Sequence, residues 1–279
     1  MTTRPHRLHE PEPTVDLAAP GPARGRAKDD HGMVELTLLT LNIHQGFSAL
    51  NRRFILSELR EAVRTVSADV VCLQEVLGAH EPLSKRHAGW PAAPHYEFIA
   101  DTLWHQYAYG RNAVYPEGHH GNAVLSKFPI ARFLNHDVSI EDAEGRGMLW
   151  CVLDVPEQAE QIHVVCVHLG LRESHRQRQL EALCRLIESD IPHDAPLIVA
   201  GDFNDWRQRA DRILSRCALH EVFVAATGRP ARTFPARWPL LPLDRIYVRN
   251  VHVKRALVLA GRPWSHLSDH TPLLVDIST

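Results

Sequence analysis

Leu197-Ile198-Val199-Ala200-Gly201-Asp202-Phe203-Asn204 decides how the chain is read. Four apolar residues, two of them β-branched, have the length and composition of a buried strand. A polar word follows at once, so a carboxylate and an amide fall at the end of that strand. The construction recurs along the chain. Leu38–Leu41 runs into Asn42, Val70–Leu73 into Gln74-Glu75, and Val164–Val167 into His168. Asp244 precedes Ile246-Tyr247-Val248, and Ser268-Asp269-His270 precedes Leu273-Leu274-Val275. Singly, each has an ordinary explanation: Asp and Asn end strands in turns, Glu75 suits a helix start, and a lone His is a surface or core residue. Jointly they predict one sheet rim lined with chemistry-bearing groups, where sites are usually built.

The surrounding texture agrees with a layered protein. Phe54, Ile55, Leu59, Ala62, Val63 and Val66 follow helical spacing, as do Leu180, Leu183, Cys184 and Ile187. A short helix is expected near Arg207–Leu214. Strands are expected at Val34–Leu39, Ala68–Leu73, Asn122–Leu125, Met148–Val155 and Ile162–Leu169, and near the end at Arg245–Val248, Val251–Leu259 and Leu273–Ile277. Strands outnumber helices and do not alternate with them strictly. That favours a mixed or antiparallel α/β layered fold over a doubly wound one.

Composition sets limits. The chain has 279 residues, 44% hydrophobic and 23% charged, which is ordinary for a globular protein. No apolar run reaches the roughly 18–20 residues that span a bilayer, so stable membrane insertion is not expected. A net charge of -2 disfavours a strongly basic nucleic-acid clamp but leaves a local phosphate-binding strip open. Residues 1–32 carry five prolines and no apolar period or signal-peptide core, and read as a disordered tail before a single domain at 33–279. The five cysteines lack metal or redox spacing and read as buried free thiols in a reducing, cytoplasmic compartment. The 19 histidines invite a metal reading, yet none shows zinc-ligand spacing.

In order, the words Leu41-Asn42-Ile43-His44, Leu73-Gln74-Glu75-Val76, Gly121-Asn122-Ala123-Val124-Leu125-Ser126, Val167-His168-Leu169, Gly201-Asp202-Phe203-Asn204, Leu243-Asp244-Arg245-Ile246 and Ser268-Asp269-His270 resemble the endonuclease/exonuclease/phosphatase superfamily, the DNase I-like fold. The resemblance spans about residues 34 to 278. It implies a four-layered α-β-β-α sandwich, two mixed sheets flanked by helices, and a metal-dependent hydrolase of phosphate esters. It implies Asn42 and Glu75 as the primary ligands of Mg²⁺, with Mn²⁺ as substitute, and Asp269 as a further ligand. Hard oxygen donors of this kind suit Mg²⁺. It also implies Asp202 and Asn204 at the attacking water, His270 oriented by Asp244, and His168 and Asn122 toward the phosphate. The residues leave open whether Asp202 or His270 is the base.

His44 stands where apurinic-site endonucleases of the superfamily carry an acid. This argues against a close relative of those enzymes and is compatible with DNase-like, sphingomyelinase-like and uncharacterised bacterial branches. His44 and the pair His119-His120 are candidate cleft neighbours. The stretch Tyr107–His120 offers Arg111 and Tyr115 for substrate binding. Trp104, Tyr107 and Tyr109 could stack on a base, or pack within their own loop. A second Arg/aromatic loop, Arg232–Pro239, precedes Asp244. The arginines of the helix at 172–189 read as a solvated face. The expected substrate is a nucleic acid, with a phospholipid headgroup or small phosphate ester as the alternative, acted on by a monomer. Trp238-Pro239-Leu240-Leu241-Pro242 is a short apolar candidate for lipid contact.

Overall fold

In the computed structural model the recurrent strands form two six-stranded sheets, face to face, with helices on both outer sides. The structure describes residues 34–49, 53–140 and 145–279, so the expectations for residues 1–32 and for a start at Met33 lie outside the described residues. The first sheet has the order β11-β12-β1-β2-β4-β3. Its strands are β1 (Glu35–Asn42), β2 (Val70–His80), β3 (Gln106–Tyr115), β4 (Gly118–Ser126), β11 (His252–Val258) and β12 (Leu273–Ser278). The second has the order β5-β6-β7-β8-β10-β9. It comprises β5 (Ile130–Asp137), β6 (Gly147–Leu153), β7 (Ile162–His168), β8 (Leu197–Asp202), β9 (His220–Glu221) and β10 (Asp244–Arg249). One parallel pair stands inside each sheet, β1 with β2 and β7 with β8. Both sheets are therefore mixed, as expected.

The central strands read as unbroken apolar runs because both of their faces are covered. Leu36 and Leu38 of β1 face the second sheet, whereas Leu39 and Leu41 pack on the outer helices. Helix α1 (Leu56–Val66) buries Leu56, Leu59, Ala62 and Val63 there, and ends where Ser67 turns left-handed (φ 53°). Helices α2 (Glu81–Arg86) and α3 (His95–Ala100) follow β2, and on the other side α4 (Glu173–Asp190) lays Leu180, Leu183, Cys184 and Ile187 against the second sheet. Emptying such a position, as in Leu183→Ala, typically costs about 2–5 kcal/mol.

Three expectations need correction. Tyr107–His120 is no loop but the hairpin of β3 and β4, in which Tyr115 pairs Gly118. Gly110, Arg111 and Asn112 interrupt this edge strand, so the sequence shows no sustained apolar period there. Arg176 does not lie on a solvated face. It is buried, donating to Gly170 O at 3.2 Å and Glu173 Oε2 at 2.7 Å, and so ties down the loop after β7. Finally, Cys184 and Cys217 form a disulfide between α4 and the turn after α5 (Ala210–Leu214), while Cys72, Cys151 and Cys166 are buried free thiols. The partners are 33 residues apart, a separation that composition cannot pair.

Candidate active site

Register brings the strand ends together. Asn42 ends β1 and pairs with Gln74, so Glu75 falls beside it. His168 pairs with Asp202 across parallel β7 and β8, and Asp202 pairs with Asp244 across β8 and β10. Glu75 sits at a bulge with φ 56°, which aims its carboxylate out of the ladder. Asn204 likewise has φ 50°, an unusual conformation that Asn tolerates.

One half of the cleft belongs to the first sheet. The Asn42 amide donates to Glu75 Oε1 at 3.2 Å and to Asp202 Oδ2 at 3.1 Å. Its Oδ1 accepts the His44 backbone N–H at 3.0 Å. His44 Nδ1 lies 3.4 Å from Asp269 Oδ2 and 3.8 Å from Glu75 Oε2, so two carboxylates converge on one small space. Ser268 Oγ donates to the Asn42 carbonyl and accepts from His270 N, fastening the Ser-Asp-His turn to the end of β1.

The other half is nearly sealed. His270 Nδ1 meets Asp244 Oδ2 at 2.8 Å, while its Nε2 lies 3.8 Å from Asp202 Oδ2. Burial pulls the His270 imidazole down, but Asp244, Asp202 and Asp269 outweigh it and raise its pKa to about 10. His270 is therefore an imidazolium at neutral pH. Burial pushes Asp202 up to about 7, with Asp244 adding to the rise. His168, with Nε2 3.6 Å from Asp202 Oδ2, is held neutral by burial and by the charge of Arg146. Asp202 Oδ1 accepts the Asn204 N–H, and the Asn204 amide is anchored on Leu169 O at 2.9 Å.

The structure thus gathers Asn42, Glu75, His168, Asp202, Asn204, Asp244, Asp269, His270 and His44. Others are placed differently. Asn122 is buried and donates to Gly147 O and Cys166 O, clasping the two sheets; only its Oδ1 is uncommitted. Arg111 is exposed on the outer face of β3 with Tyr107 and Tyr109. Tyr115 reaches the mouth only indirectly, its ring 5.8 Å from that of His120, which feels the Glu75 charge. Trp104 is fully buried on Ala68 O, Tyr109 stacks on Tyr96 and Tyr107 meets Tyr96 at a tilt, so these rings serve packing, within a hairpin rather than a loop.

Arg146, the residue before β6, escaped the sequence reading although its field reaches His168. A cation between two glycines before an apolar strand was the available signal. Phe234, inside the loop Arg232–Pro239, places its ring 5.1 Å from that of His270. Nothing in the word Leu243-Asp244-Arg245-Ile246 marks a role for Arg245. It is fully buried and donates to Asp205 O at 3.2 Å, holding the segment after Asn204.

Two groupings could hold a cation. Ligand atoms of Asp202, Asp244 and His270 all lie within 4.8 Å of one another, but the His270–Asp244 hydrogen bond already occupies two of these groups. Glu75 and Asp269 offer two carboxylates in a less buried space, each 22–23% exposed, with His44 Nδ1 within 3.8 Å of both. The second donor set fits a hard divalent cation.

A sequence model of the Endonuclease/Exonuclease/phosphatase family matches residues 39–270. The protein YbhP of Escherichia coli (strain K12), itself uncharacterized, is 58% identical over 241 residues, covering 86% of this chain and 95% of that one. Among solved structures, the endonuclease/exonuclease/phosphatase from Beutenbergia cavernae DSM 12333 superposes with a TM-score of 0.70 at 19% identity, over 87% of this chain and 71% of that chain. D. rerio TDP2 complexed with single strand DNA product superposes with a TM-score of 0.64 at 18% identity, over 88% and 99%.

Proposed function

The chain belongs to the Endonuclease/Exonuclease/phosphatase family of phosphoester hydrolases, and from that premise we propose that it is a divalent-cation-dependent phosphodiesterase. The observation that carries this reading is the convergence on one oxygen. Asp202 Oδ2 lies 3.1 Å from Asn42 Nδ2, 3.6 Å from His168 Nε2 and 3.8 Å from His270 Nε2. Beside it stand the two carboxylates that suit a cation.

Glu75, Asp269 and the remaining lone pair of Asn42 Oδ1 would hold Mg²⁺ or Mn²⁺. When bound, the ion draws charge from the phosphoryl oxygens. Asp202 accepts the proton of the attacking water, because its burial raises its basicity toward neutral pH. The water oxygen bonds to phosphorus in line with the ester oxygen that leaves. His270, already an imidazolium, gives a proton to the leaving oxygen, and Asp244 holds its ring in place. Asn204 Oδ1 orients the water, since its amide nitrogen is committed to Leu169 O. Neutral His168 donates to a phosphoryl oxygen.

A nucleic acid and a phospholipid present the same diester. The aromatics expected to stack on bases are spent in packing. A specific observation favours the phospholipid headgroup: exposed Trp206 and Trp238 lie on the loops that leave β8 after Asp202 and enter β10 at Asp244. The test is a substrate panel of single- and double-stranded DNA, RNA and phospholipids, assayed with Mg²⁺ beside an Asp202→Asn control. Hydrolysis of a diester by the wild type and not by the control supports the reading. Equal rates in both would overturn it.

A further inference from the structure

Large apolar side chains are not scattered evenly over the surface. Eight are exposed among the described residues, and five of them, Leu171, Trp206, Trp238, Leu240 and Leu241, sit on three neighbouring loops. These loops follow β7, follow β8 and precede β10, strands adjacent in the second sheet. They leave the sheet at the end that carries His168, Asp202 and Asp244. Backbone bonds join the roots of the three loops, Leu169 N donating to Asp202 O and Phe203 N to Leu243 O, while Phe234 pairs with Leu241 within the third loop. Trp238 is 69% exposed and Trp206 46%, fractions too high for residues completing a core.

Each tryptophan carries a cation. The Arg207 guanidinium lies 4.4 Å from the Trp206 ring centroid, and that of Arg237 5.2 Å from the Trp238 ring. Residues 228–243 hold three arginines, Arg229, Arg232 and Arg237, all exposed, and no acid. The chain as a whole has a net charge of -2, so this concentration of cations is local.

We propose that these three loops form a docking surface for an anionic phospholipid bilayer, against which the cleft opens. Indole rings favour the headgroup level of a bilayer, and guanidinium groups beside them gain from anionic lipid. Aliphatic Leu171, Leu240 and Leu241 fit an acyl boundary but add nothing to base stacking. Among the described residues no helix is long and apolar enough to cross a membrane, so attachment is by loops at the surface. The proposal rests on the phosphodiesterase reading for its consequence, that a lipid phosphodiester would meet Asp202 directly.

The experiment measures flotation of the full chain with phosphatidylcholine vesicles, with and without an equal share of phosphatidylglycerol. Turnover of the water-soluble diester bis(p-nitrophenyl) phosphate is measured in parallel. Binding to the anionic vesicles is expected to fall at least about tenfold in Trp206→Ala/Trp238→Ala, as expected from lost apolar burial. Soluble turnover is expected to stay unchanged in that variant. Arg207→Glu/Arg237→Glu is expected to abolish the preference for phosphatidylglycerol. Failure of the wild type to float, or equal flotation of the tryptophan variant, overturns the proposal. Tryptophan quenching by a single-stranded oligonucleotide without vesicle binding overturns it in favour of nucleic acid. Vesicle binding as expected with no soluble turnover would sustain the docking surface and sink the phosphodiesterase reading.

Discussion

The side chains of His44, Glu75 and Asp269 are 22–23% exposed, whereas those of His168, Asp202, Asp244 and His270 are 1–7% exposed. The first group edges one sheet and the second chiefly the other, with the Asn42 amide bridging them. The difference in wrapping matches a difference in task. A hard cation keeps part of its water shell, so its carboxylates need a wet approach. Proton transfer near neutral pH needs a dry site, where burial and neighbouring charges move proton affinities. In one half the oxygens converge and stay open; in the other Asp202 and His270 are both pushed up, the carboxyl to about 7 and the imidazole to about 10.

Substitutions that remove a proton carrier should break the dry half outright. Asp202→Asn is expected to cut turnover by about 10³–10⁴ with the fold intact, checked by steady-state rates and circular dichroism. Asp244→Asn is expected to cost less, about 10²–10³, because the amide oxygen can still accept from His270 Nδ1 while the charge that favours the imidazolium is lost. In that variant the His270 titration followed by NMR moves down from about 10 toward its ordinary value. An unmoved titration would separate the two residues. Glu75→Gln acts on the wet half and is expected to weaken half-saturation by Mg²⁺ about 10–100-fold, the range for disturbed metal sites. Rates at saturating cation should largely recover.

Stability against pH distinguishes the two buried histidines. The folded-state pKa of His270 is raised, so its contribution is full below about 6.5 and is lost as pH rises toward about 10. His168 is depressed by burial, so its contribution is full above about 6.5 and is lost as pH falls. His270→Gln should therefore flatten the alkaline side of the stability curve, and His168→Gln the acid side, in denaturant titrations. The smallest effect is expected of Asn122→Ala. Losing the clasp to Gly147 O and Cys166 O should cost about 1–3 kcal/mol of stability.

The strands and the gathered rim were legible because each strand ends in a word that cannot continue it. Asp202 after Leu197–Ala200 and His168 after Val164–Val167 needed only apolar runs and their breaks. What stayed hidden depended on pairing across the chain. Edge strand β3 has too mixed an outer face to show a period. Arg176 looks like any helix-surface arginine until its guanidinium meets the carbonyl of Gly170. Cys184 and Cys217 are joined only by the packing of α4 on α5. Arg146 acts through a field at His168, which no local spacing records. Histidine number was a poor guide as well. His95 and His163 are driven to about 3 and about 4 by burial, and pack on Trp90 at a tilt and on Trp150 in a stack, which makes them packing residues.

The division of labour is tested most directly by titrating Mg²⁺, after EDTA treatment, into wild type, Glu75→Gln and Asp202→Asn on the same diester. The wild type should be silent until cation is added. Glu75→Gln should return to within about tenfold of it at high Mg²⁺, and Asp202→Asn should stay inert throughout. Full wild-type turnover in excess EDTA would contradict the open half as a cation site, and recovery of Asp202→Asn by Mg²⁺ would contradict the buried half as the proton carrier.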